Sequence, residues 1–154
     1  MPKPKVLFLC SANSARSQMA EALLRKHGDD RFDVYSCGIE AKGVNPYTIR
    51  VLEELGIDTS RHYSKDIREY MGKMNFAYLI TVCSAADRNC PSTFPGISKR
   101  MHWPFDDPAA YEGSDAEKLE TFRTVRNQIE QKILAWLQEL DGATSPAPAD
   151  RTSA

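Results

Sequence analysis

Short runs of apolar residues alternate along the chain with longer segments in which apolar residues recur every three or four positions. Residues 6–9 (Val-Leu-Phe-Leu) form an uninterrupted apolar run, which is typical of a strand covered on both faces. Strands are also predicted over residues 32–37 and 76–82, and a shorter one around residues 100–102. The pattern therefore predicts four strands.

The segments between the strands have helical spacing and recognisable ends. The first helix is expected to begin with Ser17 as its N-cap and to end at Gly28. A second helix opens at Pro46 and is expected to stop at Gly56. Further helices are predicted over residues 66–74 and 114–140. Strands that alternate with helices in this way predict an α/β fold with a parallel sheet and right-handed connections.

The length of 154 residues suits a single domain with a hydrophobic core of ordinary size. We place this domain at residues 1–141. Residues 142–154 (GATSPAPADRTSA) are small, polar and interrupted by proline, so they are predicted to form a flexible tail.

Composition argues against several classes of function. A net charge of −1 with scattered basic residues argues against a nucleic-acid partner. No segment approaches the roughly 20 apolar residues of a membrane helix, and the short apolar run near the N-terminus does not suit a secretory signal. We therefore expect a cytoplasmic, monomeric protein that has no membrane partner. In a reducing cytosol, its four cysteines indicate catalytic, redox or metal-binding roles rather than structural disulfides.

The segment at residues 10–17 (CSANSARS) connects the first strand to the first helix. Its small residues allow successive backbone N–H groups to turn inward around a tetrahedral oxyanion, and the helix N-terminus adds positive potential. Arg16 can clamp two oxygens of such an anion in a bidentate fork. The same potential stabilises the thiolate of Cys10 as a nucleophile, to which Ser17 can donate a hydrogen bond.

The expected oxyanion-binding segment consists of Ser11, Ala12, Asn13, Ser14, Ala15 and Arg16. The alternative is a buried cysteine at the end of a strand, beside an unrelated arginine. The position of the loop favours a function, because parallel α/β folds bind their ligands at the carboxyl ends of the strands.

Several further motifs accompany this loop. They are SQMAE at residues 17–21, VYSCGIE at 34–40, GVNP at 43–46, CSAADRNCP at 83–91 and HWPFDDPA at 102–109. On these motifs the chain resembles the low-molecular-weight tyrosine phosphatase fold and, within it, the thioredoxin-coupled arsenate reductases, over about residues 5–140. The resemblance implies three layers, with a central four-stranded parallel sheet flanked by helices. The family loop usually carries glycine at the position of Ala12, and often a second cysteine at that of Ala15.

The resemblance also implies a relay of thiols. Cys10 would attack arsenate, Cys83 would then attack the Cys10 sulfur and release arsenite, and Cys90 would move the disulfide to a position that thioredoxin reaches. The segment between Cys83 and Cys90 looks polar and flexible, and should loosen on oxidation. The alternative is two core cysteines or half a zinc site, although the spacing differs from the usual zinc pair. Cys37, inside a predicted strand, is interpreted as a packed thiol.

By the same resemblance, Asp107 is the general acid that protonates the leaving oxygen, although an Asp-Pro turn with Pro108 is the alternative. Asp106 is a less favoured candidate. No tightly bound cofactor is expected. In some relatives a potassium ion lies near the loop, at positions that correspond here to Asn13, Glu21, Ser36 and Asp66. The alternative for these four residues is a hydrogen-bond network without a metal.

Two other functions compete with an arsenate reductase. A tyrosine phosphatase would need only Cys10, Arg16 and Asp107, but such enzymes usually carry aromatic residues directly after the Asp-Pro pair, where this chain has two alanines followed by Tyr111. A redox or trivalent-arsenic sensor would use the cysteines, but it leaves Arg16 and Asp107 without a role.

Overall fold

The computed structural model describes residues 3–90 and 94–144, and these contain one four-stranded parallel sheet. The strands are β1 (Lys5–Cys10), β2 (Asp33–Gly38), β3 (Phe76–Thr81) and β4 (Ile97–His102), in the spatial order β2-β1-β3-β4. All three strand pairs are parallel. Five of the six β1 residues are buried, as the uninterrupted apolar run predicts, because β1 lies in the middle of a sheet that helices cover on both faces. The predicted α/β fold is confirmed.

Four α-helices surround the sheet within the described residues. They are α1 (Arg16–Gly28), α2 (Pro46–Glu53), α3 (Ser84–Asn89) and α4 (Asp115–Thr144). The connection through α1 leads from β1 outward to β2, whereas the connection through α3 leads from β3 outward to β4 in the opposite direction. Right-handed crossovers therefore place α1 and α3 on opposite faces, with the sheet as the middle layer.

Three predicted helix ends differ from the structure. Helix α1 has Ala15 rather than Ser17 as its N-cap, because the Ser17 hydroxyl contacts the sulfur of Cys10 instead of a backbone N–H group. Helix α2 stops at Glu53, and Gly56 follows with a positive φ of 76°. The predicted helix at 66–74 contains only a 3-10 turn, Ile67–Glu69, capped by the Asp66 side chain.

The segment between Cys83 and Cys90, predicted to be flexible, is the helix α3. Cys83 is its N-cap, with the sulfur accepting from the N–H of Ala86 at 3.3 Å. Helix α4 runs to Thr144, four residues past its predicted end and three residues into the predicted tail. The remainder of that tail, residues 145–154, lies outside the described residues.

The core joins α4 to the sheet through aromatic contacts. Trp136 stacks on Phe32 with ring centroids 5.3 Å apart and meets the edge of Trp103 at 5.5 Å, and Trp103 in turn lies 6.0 Å from Phe8 of β1. This packing fixes α4 against the sheet, and the loop of residues 11–15 follows the carboxyl end of β1, where parallel sheets bind their ligands. Among the described residues, no helix combines the length and apolarity needed to span a membrane.

Candidate active site

The loop between β1 and α1 turns its carbonyl groups away from the cleft. Each accepts a hydrogen bond from the surrounding protein: Cys10 O from Ile39 N, Ser11 O from Glu40 N, Ala12 O from Lys42 N, Asn13 O from Gln18 Nε2, Ser14 O from Asn45 N and Ala15 O from Met19 N. In a trans peptide the N–H group points opposite to the C=O group of the same unit. The N–H groups of residues 11–16 therefore point inward, which forms a nest for an oxyanion.

Asn13 carries the sharpest bend of this loop. Its φ is 51°, in the left-handed region, which asparagine adopts more readily than most residues. The bend brings the Asn13 N–H to 3.3 Å from the Cys10 sulfur. Ala12 has no positive φ, so alanine in place of the family's usual glycine imposes no backbone strain of that kind.

The Cys10 side chain lies at the bottom of the cleft and is 3% exposed. Ser17 Oγ is 2.8 Å from its sulfur, and Asn13 Nδ2 donates to the same hydroxyl at 2.8 Å. Because Ser17 accepts from Asn13, its own proton is available for the sulfur. Together with the N-terminus of α1, this arrangement stabilises a negatively charged sulfur and so favours a nucleophile.

Arg16 and Asp107 face each other across the cleft. The Arg16 side chain is 14% exposed, its Nη1 donates to Phe105 O at 3.0 Å, and its Nη2 lies 3.6 Å from Asp107 Oδ2. The other carboxylate oxygen of Asp107 accepts from Ala109 N at 3.0 Å, at the start of a 3-10 turn. Asp107 therefore takes part in the Asp-Pro turn and also reaches the cleft, so the two interpretations made from the sequence are compatible.

The cleft has a volume of about 310 Å³. Its lining comes from the loop, from the arginine and aspartate, and from α3: Cys10, Ser11, Ala12, Ser14, Ala15, Arg16, Ala85, Asp107 and Ala109. Asn13, also predicted to bind the oxyanion, is fully buried behind the loop and supports it from that side. This volume accommodates a tetrahedral oxyanion with a small substituent.

The two cysteines at 83 and 90 are at opposite ends of α3. Cys83 lies beside the loop, with its sulfur 3.4 Å from Ser11 Oγ, whereas Cys90 is the C-cap at the far end. All four cysteines are buried free thiols. Burial raises the pKa of Cys90, and it raises that of Cys37 much further, as expected of a packed thiol. The structure therefore brings Cys83, but not Cys90, into contact with the oxyanion loop.

The residues expected around a potassium ion do not fit one. The Asn13 side-chain oxygen faces away from Ser36 and accepts hydrogen bonds from Lys65 N and Gln18 Nε2. Its Nδ2 group, which cannot bind a cation, is the atom that faces Ser36. The Asp66 carboxylate binds Arg68 instead. Among the described residues, no group of three or more His, Cys, Asp or Glu side chains is placed to hold a metal ion. Asn13, Glu21 and Ser36 instead form a hydrogen-bond network.

Two residues of this network, Gln18 and Lys65, were not singled out from the sequence. Gln18 is fully buried, and its Nε2 also donates to the Tyr63 carbonyl while its Oε1 contacts His62 Nδ1 at 2.9 Å. Burial lowers the pKa of His62. A buried glutamine within the apolar stripe of α1 was an available signal, since such a side chain needs partners.

These features are those of one class of enzyme: a cysteine under a nest of backbone N–H groups, with an arginine and an aspartate at the mouth, can perform covalent chemistry on an oxyanion. Residues 5–145 match the family described as low molecular weight phosphotyrosine protein phosphatase, and the chain belongs to that family.

Relatives within this family are named arsenate reductases. That of Halalkalibacterium halodurans is 46% identical over 134 residues, covering 86% of this chain and 94% of the relative. That of Bacillus subtilis is 42% identical over 128 residues, covering 83% and 91%. A solved arsenate reductase in its phosphate-binding state superposes with a TM-score of 0.73 at 33% identity, covering 88% of this chain and 98% of the other. A tyrosine phosphatase from T. tengcongensis, at 22% identity, shares the fold with a TM-score of 0.74 over 89% and 99%.

Gly38 is expected to be essential for the shape of the loop. A Cβ atom at this position would lie 2.6 Å from Asn13 N and 2.8 Å from Ala12 C, both backbone atoms that cannot rotate aside. We expect Gly38→Ala to displace the loop, to cost about 1–3 kcal/mol of stability, and to weaken the binding of inorganic phosphate at least about tenfold. Isothermal titration calorimetry and thermal unfolding measure the two effects.

The matched control is Gly28→Ala, where the added Cβ meets only side-chain atoms, at 3.2 Å or more. This variant should bind phosphate like the unmodified protein. Undiminished phosphate binding by Gly38→Ala would show that the loop does not depend on the close approach of β2.

Proposed function

We propose that the protein is a cytoplasmic arsenate reductase that receives its electrons from thioredoxin and acts as a monomer. The observation that carries this proposal is a second thiol beside the oxyanion loop: the Cys83 sulfur lies 3.4 Å from Ser11 Oγ, a position that a phosphatase has no need to fill with a thiol. The relatives named arsenate reductases support the same activity.

The first step is attack on the substrate. The Cys10 thiolate attacks arsenic while the inward N–H groups and Arg16 hold the oxyanion. Asp107 donates a proton to the departing oxygen, which leaves as water. The product is a covalent adduct between the Cys10 sulfur and pentavalent arsenic, so no electrons have yet been transferred.

Reduction follows when Cys83 acts as a second nucleophile. Its thiolate attacks the Cys10 sulfur, a disulfide forms between the two, and the sulfur–arsenic bond breaks with its electron pair retained by arsenic. Arsenite, in the trivalent state, is released. Cys90 then attacks Cys83, which frees Cys10 as a thiolate and leaves a Cys83–Cys90 disulfide for thioredoxin to reduce. The two electrons thus come from two thiols.

Tyrosine phosphatase activity is the second candidate, because the loop, Arg16 and Asp107 would serve phosphate monoesters equally well. We propose it only as a weak side activity. Ala109 lines the cleft, and Tyr111 is the single aromatic residue that follows the Asp-Pro pair closely.

A sensor of trivalent arsenic would need the thiols alone. The variant Arg16→Ala separates the sensor from the enzyme: we expect it to abolish turnover of arsenate, which only the enzyme performs, and to leave binding of arsenite by the thiols intact.

The assignment is tested by arsenate-dependent NADPH oxidation in the presence of thioredoxin and thioredoxin reductase. We expect multiple turnovers by the unmodified protein, and at most one equivalent of arsenite per protein from Cys90→Ser. Cys37→Ala removes a buried thiol that has no place in the relay, and it should keep turning over. No NADPH oxidation by the unmodified protein would refute the thioredoxin-coupled reductase.

A further inference from the structure

A buried lysine lies behind the oxyanion loop. The Lys65 side chain is 5% exposed, and its Nζ is 3.6 Å from Glu21 Oε1, donates to Tyr63 O at 2.8 Å and lies 4.5 Å from the centre of the Tyr63 ring. Glu21 is equally buried, and its other oxygen pairs with Arg25 at 2.8 Å. Burying two charges costs free energy unless they are well paired, so this arrangement calls for an explanation.

Hydrogen bonds connect the Lys65–Glu21 pair to the nucleophile through Ser36, Asn13 and Ser17. Ser36 has a single hydroxyl proton, which it donates to Glu21 Oε1 at 2.5 Å, so it must accept from Asn13 Nδ2 at 3.0 Å. The other Nδ2 proton goes to Ser17 Oγ, and this leaves the Ser17 proton for the Cys10 sulfur. Asn13 therefore donates towards both ends of the chain, and the Glu21 carboxylate accepts at one end while the Cys10 sulfur accepts at the other.

The backbone of Lys65 supports the same loop residue. Its N–H donates to Asn13 Oδ1 at 2.7 Å, while its carbonyl accepts from Gly38 N of β2 at 2.8 Å. Because a backbone N–H can only donate, the Asn13 oxygen must face Lys65 and its NH2 group must face Ser36. The amide that would have to offer its oxygen to a potassium ion is therefore turned the wrong way.

We propose that the Lys65 ammonium is a built-in cation that takes the place of a bound potassium ion and positions the oxyanion loop. It balances the charge of Glu21 from the buried side, whereas Arg25 does so from the surface. Through Ser36 and Asn13 it holds Ser17 as a hydrogen-bond donor to Cys10. Lys65 is thus a positioning residue, and the loop should work without an added monovalent cation. The inference concerns the reactivity of Cys10, so it rests on the proposed function only in experiments that measure arsenate turnover.

The test follows the reactivity of Cys10 itself, which does not depend on arsenate being the substrate. The rate of Cys10 alkylation by iodoacetamide is measured by peptide mass spectrometry in potassium chloride and in choline chloride at equal ionic strength. The unmodified protein should react equally fast in both salts. Lys65→Met, uncharged but of similar length, should react about tenfold more slowly, and Lys65→Arg should keep most of the rate.

Lys73→Met is the matched control, since Lys73 is exposed and precedes β3, at the end of the sheet opposite to the loop. It should alkylate and unfold like the unmodified protein. Circular dichroism at the assay temperature establishes that each variant is folded. An unchanged Cys10 rate in Lys65→Met would overturn the proposal, and so would a saturable acceleration of the unmodified protein by potassium. Failure of arsenate turnover alongside the expected alkylation rates would count against the proposed function alone.

Discussion

Replacing Arg16 by lysine is expected to lower kcat/KM for arsenate by about a hundredfold to a thousandfold, which corresponds to about 3–4 kcal/mol of transition-state stabilisation. The Arg16 guanidinium is held across the cleft by Phe105 O and Asp107. Its planar fork can donate two parallel hydrogen bonds to the oxyanion, whereas the ammonium of lysine is a point charge that keeps the positive charge but loses this geometry.

Steady-state kinetics with thioredoxin in excess measures this effect on kcat/KM. The affinity for inorganic phosphate separately measures how much the variant weakens binding of an unreacted oxyanion. Arg50→Lys is a matched control, because Arg50 lies on α2 and pairs with Asp115 at an exposed position. It should leave kcat/KM unchanged. A loss of less than about tenfold in Arg16→Lys would indicate that charge alone, rather than the fork, stabilises the transition state.

The fold and the position of Cys10 at the end of β1 could be predicted because their signals are local. A strand covered by helices on both faces of the sheet, such as β1, is apolar along most of its length, and its carboxyl end marks the ligand-binding end of a parallel sheet. The inward orientation of the loop N–H groups could only be expected in general terms. This orientation depends on the loop carbonyls, which accept hydrogen bonds from backbone N–H groups within residues 39–45. The tertiary fold brings those residues to the loop.

The features that the sequence did not indicate have tertiary causes. Ser17 looked like an N-cap, but a nearby sulfur competes for its hydroxyl. Lys65 was not singled out, because lysine is usually exposed, and only the fold shows it to be paired with Glu21 in the interior. Helix α3 has six residues and buries only Ala86, so it has no apolar periodicity to detect.

The geometry of α3 leads to the second large effect: this helix must unwind when Cys83 and Cys90 form a disulfide. The two residues are seven positions apart, and a rise of about 1.5 Å per residue separates their Cα atoms by about 10 Å. A disulfide requires Cα atoms within about 7 Å. Unwinding loses little packing, since only Ala86 is buried, and it also exposes Cys90, whose pKa is raised by its burial. Opening the helix therefore makes Cys90 a better nucleophile for the last transfer.

Hydrogen exchange measured by mass spectrometry should show this change. The N–H groups of Asp87 and Cys90 donate to Cys83 O and Ala86 O at 3.1 and 2.8 Å in the reduced protein. We expect both to lose protection by about a hundredfold or more after oxidation by arsenate, as in local unfolding. Oxidised Cys90→Ser, which can form only the Cys10–Cys83 disulfide, should keep α3 protected, because that bond joins the helix N-cap to the adjacent loop.

Retained protection in the oxidised unmodified protein would mean that the disulfide does not move to Cys90, since the helix cannot accommodate it. Loss of protection in both proteins would instead place the unwinding at the first disulfide, before Cys90 attacks.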